Sequence, residues 1–257
     1  MKHNVDLAEL ELERKRYKEY LKEWYDYNYQ NIGSDWLIHV LDKLFQDKED
    51  ITFVSLSANK GTYEEDAFYT LSEKYSGKLT FVLSDLCGDV FYDNKKERLY
   101  HSNWLRYLKG SRDADNLNFR RDVDVILDNK GALWAKLNRG RLLNRKEAAI
   151  KLLWKYTEYL KDDESILLID CYKVKKFHFL KSSSNIFKYR LFRGRIMNTT
   201  FHDFEEKSTF FYLTKKFKGA AQYFEFTDHE VIKAGTQSMK LAMISRKDLI
   251  KFIERYK

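Results

Sequence analysis

Between residues 34 and 172 the chain alternates short unbroken apolar runs with segments whose apolar residues recur every three or four positions. The runs "ITFVSLS" (51–57), "KLTFVLSD" (78–85), "VDVILDN" (123–129) and "SILLIDCY" (165–172) predict strands buried on both faces, and "ERLYHSN" (97–103) a weaker one. Helices are predicted between them. Ser34 can cap a helix that carries the stripe Leu37, Val40, Leu41, Leu44 and Phe45; Thr62 with Glu65 forms a capping-box pattern before "EEDAFYTLSEKY". Asn144 with Glu147 opens a long helix whose buried stripe is Ala149, Leu152, Leu153, Tyr156 and Leu160, and Ser245 caps a last helix through "KDLIKFIERYK". An amphipathic helix is also expected near the N-terminus, where Asp6 and Glu9 precede Leu10, Tyr17, Leu21 and Trp24. Beyond residue 185, "IFKYRLFRG" (186–194) and "STFFYLTKKF" (208–217) read as strands with no helix between them, which suits an antiparallel pair at a sheet edge.

Apolar strands separated by helices imply an α/β fold: a doubly wound, mostly parallel sheet covered by helices on both faces, with an antiparallel C-terminal edge. The simplest partition is a helical extension over residues 1–33 and one α/β domain over 34–257.

Composition narrows this picture little. A chain of 257 residues buries a large core without staples, and Cys87 and Cys171 lie apart in or beside apolar runs with no CxxC partner, as reduced thiols do. A cytoplasmic protein is therefore the expectation, with no membrane association, because neither a signal-peptide core nor an apolar stretch of spanning length is visible. The net charge of +8 is spread among 39 acidic residues, so it hints only weakly at an anionic partner. No proline occurs, so turns must be read from Gly, Asn, Asp and Ser. Walker A, HExxH and GxSxG patterns are missing, which removes local support for nucleotide hydrolysis, zinc proteolysis and serine hydrolysis. His39, His101, His178, His202 and His229 are dispersed without ligand spacing, so no metal site is expected.

In open α/β sheets ligands bind beyond the carboxyl ends of the strands. The residues to read are then Ser55 to Gly61, Asp85, Ser102 with Asn103, and Asp128 with Asn129. The helix after the first strand begins Glu64, Glu65, Asp66. These suit the dipole of a first turn, and as a group they repel a pyrophosphate while tolerating a cationic ligand.

Three features resemble class I S-adenosylmethionine-dependent methyltransferases over roughly residues 34–172. They are the unit "EAAIKLLWKYTEYLKDDESILLID", the strand "DVDVILDNKGALW" ending in an acid, and Asp85 at the end of the second strand. The chain departs from the family's acid-x-Gly-x-Gly-x-Gly pattern, with Ser55, Ser57, Asn59 and Gly61 at the matching positions. The resemblance implies a Rossmann-like fold and S-adenosylmethionine as cofactor. It implies Ser55, Ser57, Asn59, Gly61, Asp85, Leu86, Ser102 and Asn103 around that cofactor, with Asp85 on the ribose diol and Asn103 near the adenine edge. Asp128 and Asn129 would face the methyl acceptor, Asp128 as base or orienting group. Lys130 would neutralise an acidic acceptor or pair with Asp128, and Trp134 would wall the pocket or sit in the core. The acceptor is unidentified: a small molecule, a protein or RNA. The alternative is a non-catalytic methyltransferase-like domain that binds nucleic acid or another partner through "NKKER", "RLYHSNWLRYLKGSR" and "NRGRLLNRK", where basic and aromatic residues interleave.

Overall fold

A computed structural model of the chain describes residues 33–58, 60–85, 97–108, 114–119, 121–138, 145–171, 173–174, 208–229 and 237–256. The expected N-terminal helix, the cap Asn144, the strand 186–194 and the site residues Asn59 and Leu86 lie outside these. The described elements begin with α1 (Asp35–Phe45), β1 (Asp50–Ser55), α2 (Thr62–Ser72) and β2 (Lys78–Leu83). A hairpin of β3 (Arg98–Tyr100) and β4 (Asn103–Tyr107) follows, then β5 (Val125–Asp128), α3 (Ala132–Asn138), α4 (Arg145–Tyr159) and β6 (Ile166–Asp170). The last are β7 (Lys173–Val174), α5 (Thr209–Lys216), β8 (Glu225–His229), β9 (Gln237–Ser245) and α6 (Arg246–Tyr256).

The sheet runs β3-β4-β2-β1-β5-β6-β9, with β8 on the far side of β9 and β7 continuing the β6 side. Strands β4, β2, β1, β5 and β6 are mutually parallel, whereas β3 is antiparallel to β4 and β9 is antiparallel to β6 and β8. The doubly wound sheet with an antiparallel edge is therefore present. Its strand order reverses between β1 and β5, where a crevice opens in such sheets.

Alternation along each strand builds two cores. Ile51, Phe53, Leu79, Phe81, Leu83, Val125, Leu127 and Leu168 join the core that contains Trp36, Leu37 and Leu41 of α1 and Phe68 of α2. Val54, Val82, Ile126, Leu167 and Ile169 join the other, with Leu133 of α3, Leu152 and Tyr156 of α4, Leu213 of α5 and Phe252 of α6. Period-two side chains on a strand covered on both faces require this division. Among the described residues no helix is long and apolar enough to cross a membrane.

Four local expectations are corrected. The third parallel strand is β4, because the segment 97–103 turns back through His101, whose φ is 55°, into a hairpin. The segment 208–217 is the helix α5: the Phe211 N–H reaches the Ser208 hydroxyl oxygen at 3.1 Å, and Leu213 and Phe217, four apart, are buried. The antiparallel edge is consequently made by β8 and β9. Ser34 does not cap α1 with its side chain; its hydroxyl donates to Asp66 at 3.0 Å. Finally, α2 starts from Gly61 as its N-cap and not from Thr62, with Gly61 at φ 71°, a left-handed conformation that glycine adopts without steric cost.

Candidate functional site

The carboxyl ends of β1, β2 and β5 lie abreast, since Ser55 pairs in register with Leu83 on one side and Leu127 on the other. The chain continues this order past the strands: the Ser84 N–H donates to the Ser55 carbonyl at 2.8 Å and the Ala58 N–H to the Ser84 carbonyl at 3.1 Å. Five polar residues are thereby collected at one edge. Ser55, Ser84 and Asp85 are buried, Glu64 from the first turn of α2 is 4% exposed, and Ser57 is half-buried.

The Ser55 hydroxyl donates to Glu64 Oε1 at 2.7 Å. Glu64 Oε2 and Ser84 Oγ have no hydrogen-bond partner among the described residues. Burial pushes the Glu64 carboxyl up to about 7, the Ser55 hydrogen bond draws it down, and the neighbouring charges of Asp85 and Glu65 raise it further. The other two acids of α2's first turn reach other elements: Glu65 accepts from the Tyr107 hydroxyl at the end of β4, and Asp66 accepts from Ser34. This helix start is tied to β1, β4 and the start of α1 at once.

Across the switch point, Asp128 ends β5 fully buried. Its Oδ2 accepts from the Leu133 N–H at 2.9 Å and from the Tyr156 hydroxyl at 2.6 Å, so it fixes the first turn of α3 against α4. Burial pushes its carboxyl up to about 6, against the lowering effect of the Tyr156 hydroxyl and the Leu133 N–H. The chain then turns through Lys130 at φ 50°, whose N–H donates to Asp170 Oδ1 at 2.8 Å at the end of β6. Gly131 follows where only glycine fits: a Cβ there would stand 1.7 Å from Ser57 Oγ and 2.3 Å from Asp128 Oδ1. The loops after β1 and β5 are in direct contact at this glycine.

Ser55, Ser57, Gly61, Asp85, Asp128 and Asn129 thus share the carboxyl edge, and Asn129 is half-buried beside Asp128. Ser102 and Asn103 do not join them. Asn103 opens β4, four residues and about 13 Å before its carboxyl end at the usual strand rise, and its Oδ1 accepts from the Leu79 N–H at 2.7 Å near the start of β2. The expectation that these two flank an adenine is corrected, because the residues at the carboxyl end of the third parallel strand are Tyr107 and Leu108. Asp128, expected as base or orienting group, anchors α3 through Oδ2, while its Oδ1 has no hydrogen-bond partner among the described residues. Trp134 meets Tyr212 edge to face, with centroids 6.3 Å apart, as a packing residue does. Of the basic segment after residue 97, Arg106 pairs with Glu97 at 2.9 Å and Arg98 donates to the Tyr69 hydroxyl at 2.8 Å.

Sequence reasoning missed Glu64 as a buried group distinct from its two neighbours, and it missed Tyr107 and Ser84. The alternation of buried Asn103, Leu105 and Tyr107 with exposed Trp104 and Arg106 is the signal that marks the true third strand.

No protein-family model matches the sequence, and no curated protein matches it. Solved structures do match in shape. The 1,6-didemethyltoxoflavin-N1-methyltransferase of Burkholderia thailandensis, solved with 1,6-didemethyltoxoflavin and S-adenosylhomocysteine bound, is 11% identical over 95% of this chain and 92% of that one, with a TM-score of 0.50. A Listeria monocytogenes protein assigned to the class I S-adenosylmethionine-dependent methyltransferases is 12% identical over 90% of this chain and 67% of its own, with a TM-score of 0.45. The CMeT domain of the citrinin polyketide synthase is 12% identical over 81% of this chain, which spans only 51% of that domain's structure, with a TM-score of 0.45. The sheet order, the helices on both faces and the extent of the first of these matches lead to one conclusion: this chain shares the fold of that methyltransferase, a doubly wound Rossmann-like sheet.

Proposed function

We propose that the protein transfers a methyl group from S-adenosylmethionine to an acceptor held beyond the carboxyl ends of β1, β2 and β5. The observation that carries this reading is the pair of buried carboxylates, Glu64 and Asp85, at the switch-point edge of this fold. Buried carboxylates repel a dinucleotide pyrophosphate and favour a ligand bearing cationic groups. The residues present fit such a cofactor: Asp85 supplies oxygens for a ribose diol, and Ser84 and Glu64 each hold a buried oxygen without a partner among the described residues at the same edge. Gly61 gives the turn into α2 without a side chain.

When bound, S-adenosylmethionine supplies an electrophilic methyl carbon on a sulfonium. The chain's own residues orient and enclose. Asp128, Tyr156 and Asp170 hold the turn at Asn129–Gly131 in one conformation, and the half-buried Asn129 in that turn is assigned to the acceptor side. Alignment of two reactants is the main contribution such a transfer asks of a protein. The acceptor belongs to this proposal only as a class, whether small molecule, protein or RNA.

Thermal unfolding of the full chain tests the reading. With S-adenosylmethionine or S-adenosylhomocysteine at about a hundred times its Kd, the midpoint should rise by roughly 5–10 °C for a domain of this size, while NAD leaves it unchanged. A shift with NAD, or none with either adenosyl ligand at millimolar concentration, contradicts it.

A further inference from the structure

The family pattern that this sequence resembles places an acid at the end of the first strand, where this chain has Ser55. A carboxylate is nevertheless present at that spot. Glu64 reaches back from α2 to within 2.7 Å of the Ser55 hydroxyl, so that serine positions one carboxylate oxygen and leaves Oε2 without a partner among the described residues. An unpartnered oxygen on a carboxylate that is 4% exposed is unfavourable unless a donor arrives. The charges acting most strongly on Glu64 come from Asp85, beyond the end of β2, and from Glu65 on its own helix, and both are negative. A cationic donor therefore has the strongest complement here.

We propose that Glu64, held by Ser55, takes the place of the missing strand-end acid and is the anionic partner of the ammonium group of an adenosyl ligand. This rests on the cofactor reading above. Because burial holds the Glu64 carboxyl up at about 7 in the free protein, the group is largely protonated below neutrality. Binding of an ammonium then converts the carboxylic acid to a carboxylate, and the proton leaves to solvent: one O–H bond is lost, the N–H bonds of the ammonium are kept, and charge is conserved. Ligand uptake by this site is accordingly coupled to proton release.

Titration calorimetry on the full chain separates the possibilities with two probes. S-adenosylhomocysteine carries the ammonium; 5′-methylthioadenosine has the same adenosyl thioether without it. For the wild type, affinity for S-adenosylhomocysteine should rise about tenfold from pH 6 to pH 8, with proton release seen in buffers of different ionisation enthalpy. Affinity for methylthioadenosine should stay flat. Glu64→Gln keeps an acceptor for Ser55 and should bind S-adenosylhomocysteine at least tenfold more weakly at pH 8, without pH dependence or proton release, while methylthioadenosine binds as before. Equal binding of S-adenosylhomocysteine by wild type and E64Q at both pH values overturns the assignment and leaves the cofactor reading standing. If E64Q binds neither probe, the wild-type data decide alone, and a pH-independent affinity overturns the assignment. Failure of the wild type to bind either probe removes both readings together.

Discussion

Two buried acids, Glu64 and Asp128, illustrate how similar burial leads to different tasks. Asp128 receives two donors on Oδ2 and Glu64 one on Oε1, and each keeps its other oxygen without a hydrogen-bond partner among the described residues. Replacing Tyr156 by Phe removes a donor from a carboxylate that water does not reach, and urea unfolding should show a loss of about 1–3 kcal/mol. For Glu64 the sign is set by its raised pKa. The native state holds the proton more tightly than the unfolded chain between about 4.5 and 7, so its contribution to stability is present below that window and is lost as pH rises through it. Glu64→Gln does not titrate. Its stability relative to wild type should therefore increase between pH 5 and pH 8, by on the order of 1–3 kcal/mol in urea melts of the ligand-free protein; a constant difference contradicts the buried, raised carboxyl. At this scale the sequence exposes residue types and not partners. Asp128 looks like a free strand-end acid until the fold brings Tyr156 of α4, 28 positions away, onto it.

At the scale of elements, legibility follows how much of the signal is local. Strands β1, β2, β5 and β6 are unbroken apolar runs because both faces are covered, and α1, α4 and α6 carry apolar stripes, so each is readable from its own residues. The β3–β4 hairpin is not, since its register depends on pairing with β2, and reading its first half as the strand moved Ser102 and Asn103 to the wrong edge of the sheet. Helix α5 is hidden for another reason. Its Thr, Phe and Tyr residues favour strands, yet the Thr209 N–H and hydroxyl are both taken by the buried Asp170 at the end of β6 and Ser208 caps the first turn. Tertiary contacts override propensity there. Thr209→Val deletes one of these bonds and leaves Asp170 short of a donor, which should cost about 1–3 kcal/mol. Ser208→Ala should cost about 1 kcal/mol. Denaturant midpoints at pH 7 check both, and unchanged values would contradict the anchoring of α5 on β6.

On the scale of the molecule, the two cores sandwich a sheet whose strand order reverses between β1 and β5, and the loops leaving these strands meet at Gly131 and Ser57. Gly131→Ala would force the two loops apart. The expected result is a loss of about 1–3 kcal/mol in stability, as for overpacking of a filled interior, together with a loss of adenosyl-ligand affinity; wild-type binding by this variant would place the ligand away from the loop contact. The general architecture was legible because parallel, doubly covered strands leave a compositional mark, while the site was legible only where it coincides with strand ends. The central claim is that this edge, between β1, β2 and β5, receives an adenosyl ligand. Crystals grown with S-adenosylhomocysteine test it most directly: the account expects the ribose hydroxyls on Asp85 and the ammonium on Glu64, and a structure that holds the ligand elsewhere, or none at saturating concentration, contradicts it.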